Sequence, residues 1–227
     1  IYYKYFISFM VIVPIFFLLM MQPDIGQTLL IFLSWLTLVF ISGISLTIFL
    51  TVFTVSIFIF FYLIFFVDKF GYIKNRVFSF FDPNTGTHNF QSEKAIEAIS
   101  SGGFFGKGIG EGTLKNRVPE AHTDYIVSVI SEEFGIVFII LLLFIFLFLI
   151  YTVFKRIYLE KDEKVKLILT GLITLIISQA LIHLGVNIRL FPTTGMTLPY
   201  LSYGGSSIIG MSILSGIILN LTKRKVV

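Results

Sequence analysis

The chain's most constraining feature is the length of its charge-free runs. No charged residue occurs between Ile25 and Val67, nor between Tyr5 and Pro23, Phe134 and Phe154, Leu167 and Ile188, or Leu201 and Leu221. A helix of about 20 apolar residues crosses the hydrocarbon of a bilayer. The 25–67 run is long enough for two such helices, and Ser42-Gly43 is its natural hinge. The expected fold is therefore all-α: a polytopic transmembrane helical bundle with six spans, at about 5–23, 26–42, 45–67, 134–154, 167–188 and 201–221. The 227 residues read as one membrane domain, with residues 68–122 forming a large extracytoplasmic loop within it.

Composition agrees. Only 13% of residues are charged, about half the share in a soluble domain, and the mean hydropathy is +0.94. Twenty-seven phenylalanines are too many for one aqueous core. With no cysteine, disulfides, thiolate nucleophiles and Cys-ligated zinc are excluded. The net charge of +4 comes from basic residues scattered at the ends of apolar runs. That pattern suits anionic lipid, and no nucleic-acid partner is expected. The chain begins with Ile, and its first span follows at once. A fragment lacking upstream helices is the expectation.

Lysine-rich short loops set the orientation. The 155–166 loop and the 223–225 tail lie two spans apart and both read as cytoplasmic, with Lys4 on the same side. The Gln22–Gly26 turn, the 68–122 loop and the 189–199 link then share the outer face. Within the long loop, Phe90, Ala95, Ala98 and Ile99 recur at helical spacing opposite Glu93, Lys94 and Glu97. This predicts an interfacial amphipathic helix over 90–101, stopped by Gly102-Gly103.

The candidate chemistry lies between Gly102 and Gly135. Asp124 precedes a charge-free run by ten residues, which places it roughly 15 Å above that span on a continuous helix, at headgroup height. Thr123 and Asp124 also suit the first turn of a helix, where they would satisfy free N–H groups. Glu132 lies eight positions on, so the two carboxylates would be offset by under a quarter turn. Asp124 and Glu132 are thus candidate ligands for a divalent cation, Mg or Mn, or can tune each other's proton affinity. Glu132 and Glu133 read otherwise as anchors at the waterline. The glycines between Gly102 and Gly112 permit close backbone approach. With Lys107 and Lys115 they form either an anion-binding cradle or a flexible surface loop. Asp24 suits the cap of the second helix. Gly204, Gly205, Ser206 and Ser207 allow close helix packing, or offer N–H and hydroxyl groups to a phosphate. Gln179, His183 and Asn187 form one polar stripe facing the bundle interior.

Taken together and in order, these segments resemble one family. They are Gln22-Pro23-Asp24-Ile25-Gly26, Arg76 through Pro83, Gln91-Ser92, Gly106-Lys107-Gly108, Pro119 through Tyr125, Glu132-Glu133-Phe134-Gly135 and Leu198 through Ser207. The set resembles the SEDS family (shape, elongation, division and sporulation), and Lys115 before Pro119-Glu120-Ala121-His122 makes it more similar to the FtsW-type division members than to the RodA-type elongation members. Thr194, where the division type carries Lys, and His183, where Asn is common, depart from the pattern. Family members have about ten transmembrane helices, of which six here would be the later six. The resemblance implies a peptidoglycan glycosyltransferase of the bacterial cytoplasmic membrane that polymerises lipid II at the division septum. Asp124 would be its general base. Lys107, Lys115, Glu120, His122, Thr123 and the 204–207 segment would contact substrate. Its partners would be lipid II, the glycan on undecaprenyl pyrophosphate, a class B penicillin-binding transpeptidase and other divisome membrane proteins. The competing expectations are a flippase or transporter for the same lipid, a RodA-like elongation polymerase, or a non-catalytic scaffold.

Overall fold

The computed structural model describes residues 3–81 and 87–223, and the side chains of residues 87–89 and 115–116 lie outside that description. The described residues fold as helices: α1 (Tyr3–Met21), α2 (Ile25–Ile41), α3 (Leu46–Phe66), α4 (Gly71–Phe81), α5 (Thr87–Gly102), α6 (Ile126–Leu159), α7 (Glu163–Asn187) and α8 (Gly205–Thr222), with short 3-10 turns at Asp68–Phe70 and Leu114–Arg117. Helices α1, α3, α6, α7 and α8 are long and apolar enough to cross a membrane. The apolar α2 has 17 residues and reaches about 26 Å at 1.5 Å per residue, just short of a bilayer's hydrocarbon. The expected polytopic all-α bundle is the observed architecture.

Helix α7 is the bundle's axis. It packs against α2, α5, α6 and α8, and its buried face runs from Leu169 through Ile173 and Ile176 to Ile182 and Val186. Gly171 admits the side chain of Leu38 from α2, since a Cβ there would lie 3.3 Å from both Leu38 methyls. Helices α1 and α3 are the opposite case, with no buried residue in α1 and only Ile64 in α3. Their exposed Phe, Ile and Leu side chains match a lipid-facing surface.

One end of the bundle carries the elaborated structure. The 68–122 segment contains α4, which the sequence pattern did not mark, as well as α5. Ala95 and Ala98 of α5 are fully buried in a cluster with Leu30, Val118, Ala121, Tyr125, Ile182, Val186 and Met196. Phe90, expected on the same face, points outward and is half exposed. Residues 82–86, including Asp82-Pro83 of the family-like motif, and Arg224-Lys225 of the basic tail lie outside the described residues. The last span begins four residues later than expected. Leu198 to Gly204 is irregular because the Ser202 hydroxyl accepts the Leu198 N–H at 2.7 Å and donates to the Thr123 carbonyl at 2.7 Å. Those two bonds hold a turn where helix was expected.

Candidate active site

Asp124 stands outside the helix that follows it. Glu120 adopts φ +54°, and its carbonyl accepts the N–H groups of Thr123 (3.1 Å), Asp124 (3.1 Å) and Tyr125 (3.3 Å). This tight turn delays α6 until Ile126, with Tyr125 at the N-cap position and no side-chain cap. The capping role considered for Asp124 is therefore not the one observed. Thr123 Oγ1 donates to Glu120 Oε2 at 3.0 Å and braces the same turn. Asp24, by contrast, does cap α2, accepting the Gln27 N–H at 2.9 Å.

The polar stripe of α7 fixes the turn from below. Asn187 Nδ2 donates to the Asp124 carbonyl and to the His183 carbonyl, both at 2.9 Å, and its Oδ1 accepts the Ser128 hydroxyl at 3.1 Å. One amide thus ties the helix end, the start of α6 and the Asp124 main chain together. His183 Nδ1 lies 2.7 Å from the Met196 carbonyl. A carbonyl only accepts, so Nδ1 carries the proton. Gln179 Nε2 donates to the Thr197 carbonyl at 2.9 Å, and Thr197 Oγ1 donates to Ser207 Oγ at 2.7 Å. Tyr203 N–H donates to the His122 carbonyl at 2.9 Å. The structure therefore brings the 120–124 turn and the 202–207 segment to one place, over the 193–197 link. Gly195, at φ +73°, runs past the carboxylate, and a Cβ there would lie 3.9 Å from Asp124 Oδ2. Gly26 lets α2 close on the same link, where a Cβ would meet Met196 Cγ at 2.6 Å.

This setting changes the acidity of Asp124. Burial is the main cause, and the neighbouring Glu120 charge adds to it; Arg76 opposes both, and the net effect raises the carboxyl to a pKa of about 6. Arg76 comes from α4, and its Nη1 donates to the Thr193 carbonyl at 3.3 Å. The Asp124 side chain accepts no hydrogen bond among the described residues. It is a partly buried, unusually basic carboxylate aimed at the link, with one guanidinium in its field.

A family model described as "FTSW_RODA_SPOVE: Cell cycle protein" matches residues 2–226. The chain belongs to this FtsW/RodA/SpoVE family. Over 209 residues it is 36% identical to the "Probable peptidoglycan glycosyltransferase FtsW" of Caulobacter vibrioides, covering 92% of this chain and 52% of that one. Over 222 residues it is 34% identical to the FtsW of the same description from Trichlorobacter lovleyi, covering 96% of this chain and 57% of the relative. The chain spans about half the length of the curated relatives it matches. A solved structure described as "Structural coordination of polymerization and crosslinking by a peptidoglycan synthase complex" superposes with a TM-score of 0.73 at 26% identity, over 95% of this chain and 60% of that one.

In this FtsW/RodA/SpoVE chain, the other expected site residues divide. Glu120, His122 and Thr123 share the turn with Asp124. Of the 204–207 segment, Gly205 and Ser206 are exposed at the start of α8, whereas Ser207 is engaged by Thr197. Lys107 and Glu132 do not join this group. Glu132 is fully buried and accepts from Lys107 Nζ (3.1 Å), Thr113 N–H (2.9 Å) and Leu114 N–H (3.0 Å). Asp124 stands in the turn before α6 begins at Ile126, so it does not share one continuous helix with Glu132; beyond Glu132, α6 is broken at Gly135 (φ +78°, ψ 178°). No group of three His, Cys, Asp or Glu side chains gathers among the described residues. Lys115 sits in the 114–117 turn, and its side chain lies outside the described residues.

The glycine-rich loop is neither open cradle nor loose strand. Where α6 breaks, the helical ladder stops at the carbonyls of Glu132 and Glu133 and resumes past the N–H groups of Ile136 and Val137. The loop supplies both kinds of partner. Lys107 and Gly108 N–H donate to the carbonyls of Glu132 (2.9 Å) and Glu133 (3.0 Å), and the carbonyls of Gly103 and Phe104 accept from Ile136 (3.0 Å) and Val137 (3.3 Å). Contact this close requires glycine: a Cβ on Gly106 would lie 2.1 Å from the Glu133 oxygen, and one on Gly135 would lie 2.3 Å from the Phe104 oxygen. Sequence reasoning missed Arg76, Ser128 and Ser202 as parts of the site. The signal for Arg76 and Ser202 was their place in the family-like segments 76–83 and 198–207; Ser128 carried none beyond its residue type.

Proposed function

We propose that this chain is part of a peptidoglycan glycosyltransferase that polymerises lipid II during cell division, with Asp124 as the general base. The observation that carries the reading is the Asp124 carboxylate: half-buried, raised to about 6, and held by its own main chain so that its side chain is left for a substrate. A carboxylate tuned toward neutrality takes a proton better than an ordinary one and is still roughly nine-tenths ionised at pH 7.

In the step we assign, the 4-hydroxyl oxygen of a lipid II sugar attacks the anomeric carbon of the glycan donor. Its proton passes to an Asp124 oxygen. The bond from the anomeric carbon to the undecaprenyl pyrophosphate breaks, and the electron pair leaves with the pyrophosphate. A pyrophosphate needs no protonation to depart, so a single carboxyl suffices, unlike the pair a glycosidase employs. Arg76, the exposed Gly205 and Ser206 at the start of α8, and the exposed His122 are the groups available to the phosphates and sugar. The relatives' FtsW names support a division role over an elongation one, in the cytoplasmic membrane at the septum. The likeness to a peptidoglycan synthase complex supports a class B penicillin-binding transpeptidase as partner.

The flippase reading has less support. Gln179, His183 and Asn187, the polar groups of α7 that would line a path between leaflets, are bonded to the main chain of the 124 turn and the 196–197 link. The experiment supplies lipid II to the complete protein with its transpeptidase and follows glycan strands. Asp124→Asn is expected to make none while still assembling with the partner. Normal polymerisation by that variant overturns the proposal, and lipid movement across vesicles that persists in Asp124→Asn favours the flippase.

A further inference from the structure

We infer that Phe104 and Phe105 form a re-entrant wedge that enters the acyl region of the leaflet on Asp124's side of the membrane. Three observations carry this. The first is depth. The Gly103 and Phe104 carbonyls accept from Ile136 and Val137, so the loop's tip lies level with residues inside the charge-free run from Phe134 to Phe154. The second is surface. Phe104 and Phe105 are 74% and 84% exposed, and Ile109 just beyond them is 78% exposed. They continue the apolar face of α6, where Ile136, Val137 and Ile140 are also exposed. The third is backbone satisfaction. Non-helical chain at membrane depth persists only where its polar groups are paired. Here Gly106 N–H donates to the Gly102 carbonyl, Lys107 and Gly108 N–H groups donate to α6, and the Gly103 and Phe104 carbonyls accept from it. The one charge at the tip, Lys107, is neutralised by Glu132.

The occupant is lipid rather than a protein partner because the patch is continuous with the helix face that crosses the hydrocarbon. Along the chain, the nearest charges besides Lys107 are Glu111 and the Glu132-Glu133 pair of α6. The inference goes beyond the proposed activity and does not depend on it. Its consequence is mechanical: the wedge and the Glu132 clamp set the height at which the chain from Gly112 to Asp124 leaves the bilayer.

The test uses the complete protein in lipid nanodiscs, without partner, carrying a single environment-sensitive label at Phe105→Cys or, as a second variant, Phe104→Cys. Lipids spin-labelled near the headgroup end of the acyl chain and aqueous iodide serve as quenchers. The label is expected to show a lipid-to-iodide quenching ratio at least about threefold above one at Lys161→Cys in the opposite loop, close to one at Ile140→Cys. Iodide quenching equal to the Lys161→Cys control at both positions overturns the wedge, since the tip is then in water. Shielding from both quenchers also overturns it, since protein then covers the tip. A position-105 label that becomes shielded only when the transpeptidase is added would assign the patch to that partner instead.

Discussion

Gly135→Ala is the most informative perturbation of the fold. At φ +78° and ψ 178°, Gly135 occupies a region open essentially to glycine alone, and an L-residue there costs of order 1–3 kcal/mol. Its new methyl would also meet the Phe104 oxygen at 2.3 Å and the Gly106 nitrogen at 2.5 Å. Neither is a flexible side-chain end, so the loop itself must move. That movement breaks some of the four bonds between the loop and α6, each contributing about 1 kcal/mol. Together the expected loss is on the order of 3–5 kcal/mol. Thermal unfolding in detergent reads the loss, and limited proteolysis at Lys107 and Lys115 reads the release of the loop. Gly210→Ala and Gly216→Ala are the controls, because nothing lies within 4 Å of a Cβ at either position. In mid-helix each is expected to be neutral or to gain up to about 1 kcal/mol. A Gly135→Ala protein as stable and as protease-resistant as these controls would refute the interlock.

Other consequences follow from the same geometry. Lys107→Met takes the Lys107 ammonium away from the buried Glu132 carboxylate and is expected to cost about 2–3 kcal/mol, below the figure for a fully buried pair because Lys107 is partly exposed; Lys107→Met with Glu132→Gln should recover most of it in a double-mutant unfolding series. Asn187→Leu removes the donor to the Asp124 carbonyl, so glycan synthesis by the complete protein should fall at least about tenfold at saturating lipid II with the protein still folded, as expected where a residue orients another. Asp124→Asn should raise stability at pH 7.5 and not at pH 3.5. A carboxyl raised from 3.8 to about 6 is costly to ionise in the fold, so the penalty is absent below pH 4, grows as pH rises through 4 to 6, and is complete above. The gain is on the order of 1–2 kcal/mol once screening at this partly exposed site is allowed for. Equal unfolding temperatures for Asp124→Asn and the parent at pH 7.5 would remove the claim that burial strains the carboxylate.

Much of this was legible in the residues. Charge-free runs marked the spans because hydrocarbon tolerates no unpaired charge, and the Asp24 cap and the α7 stripe followed from spacing. Three things were hidden. The break at Gly135 lies at the mouth of a run whose hydropathy is continuous, and hydropathy carries no dihedral angles. Glu132 looked like a partner for Asp124 because helical periodicity assumes an unbroken helix starting at residue 123. The Glu120 turn removes that assumption, because α6 begins only at Ile126. Helix α4 was masked because its Lys, Asn and Arg sit among aromatic residues in a polar segment, and its value lies in bringing Arg76 to Thr193, a contact across the chain that no local pattern encodes.

The pH dependence of polymerisation by the complete protein with its transpeptidase tests the central claim most directly. With Asp124 as the base, kcat/KM for lipid II should rise with pH through an apparent pKa near 6, the value its surroundings impose. Arg76→Gln, which withdraws the one opposing charge, should move that midpoint upward. A rate independent of pH between 5 and 7.5, or a midpoint unmoved by Arg76→Gln, would contradict the assignment of Asp124 as the group that takes the proton.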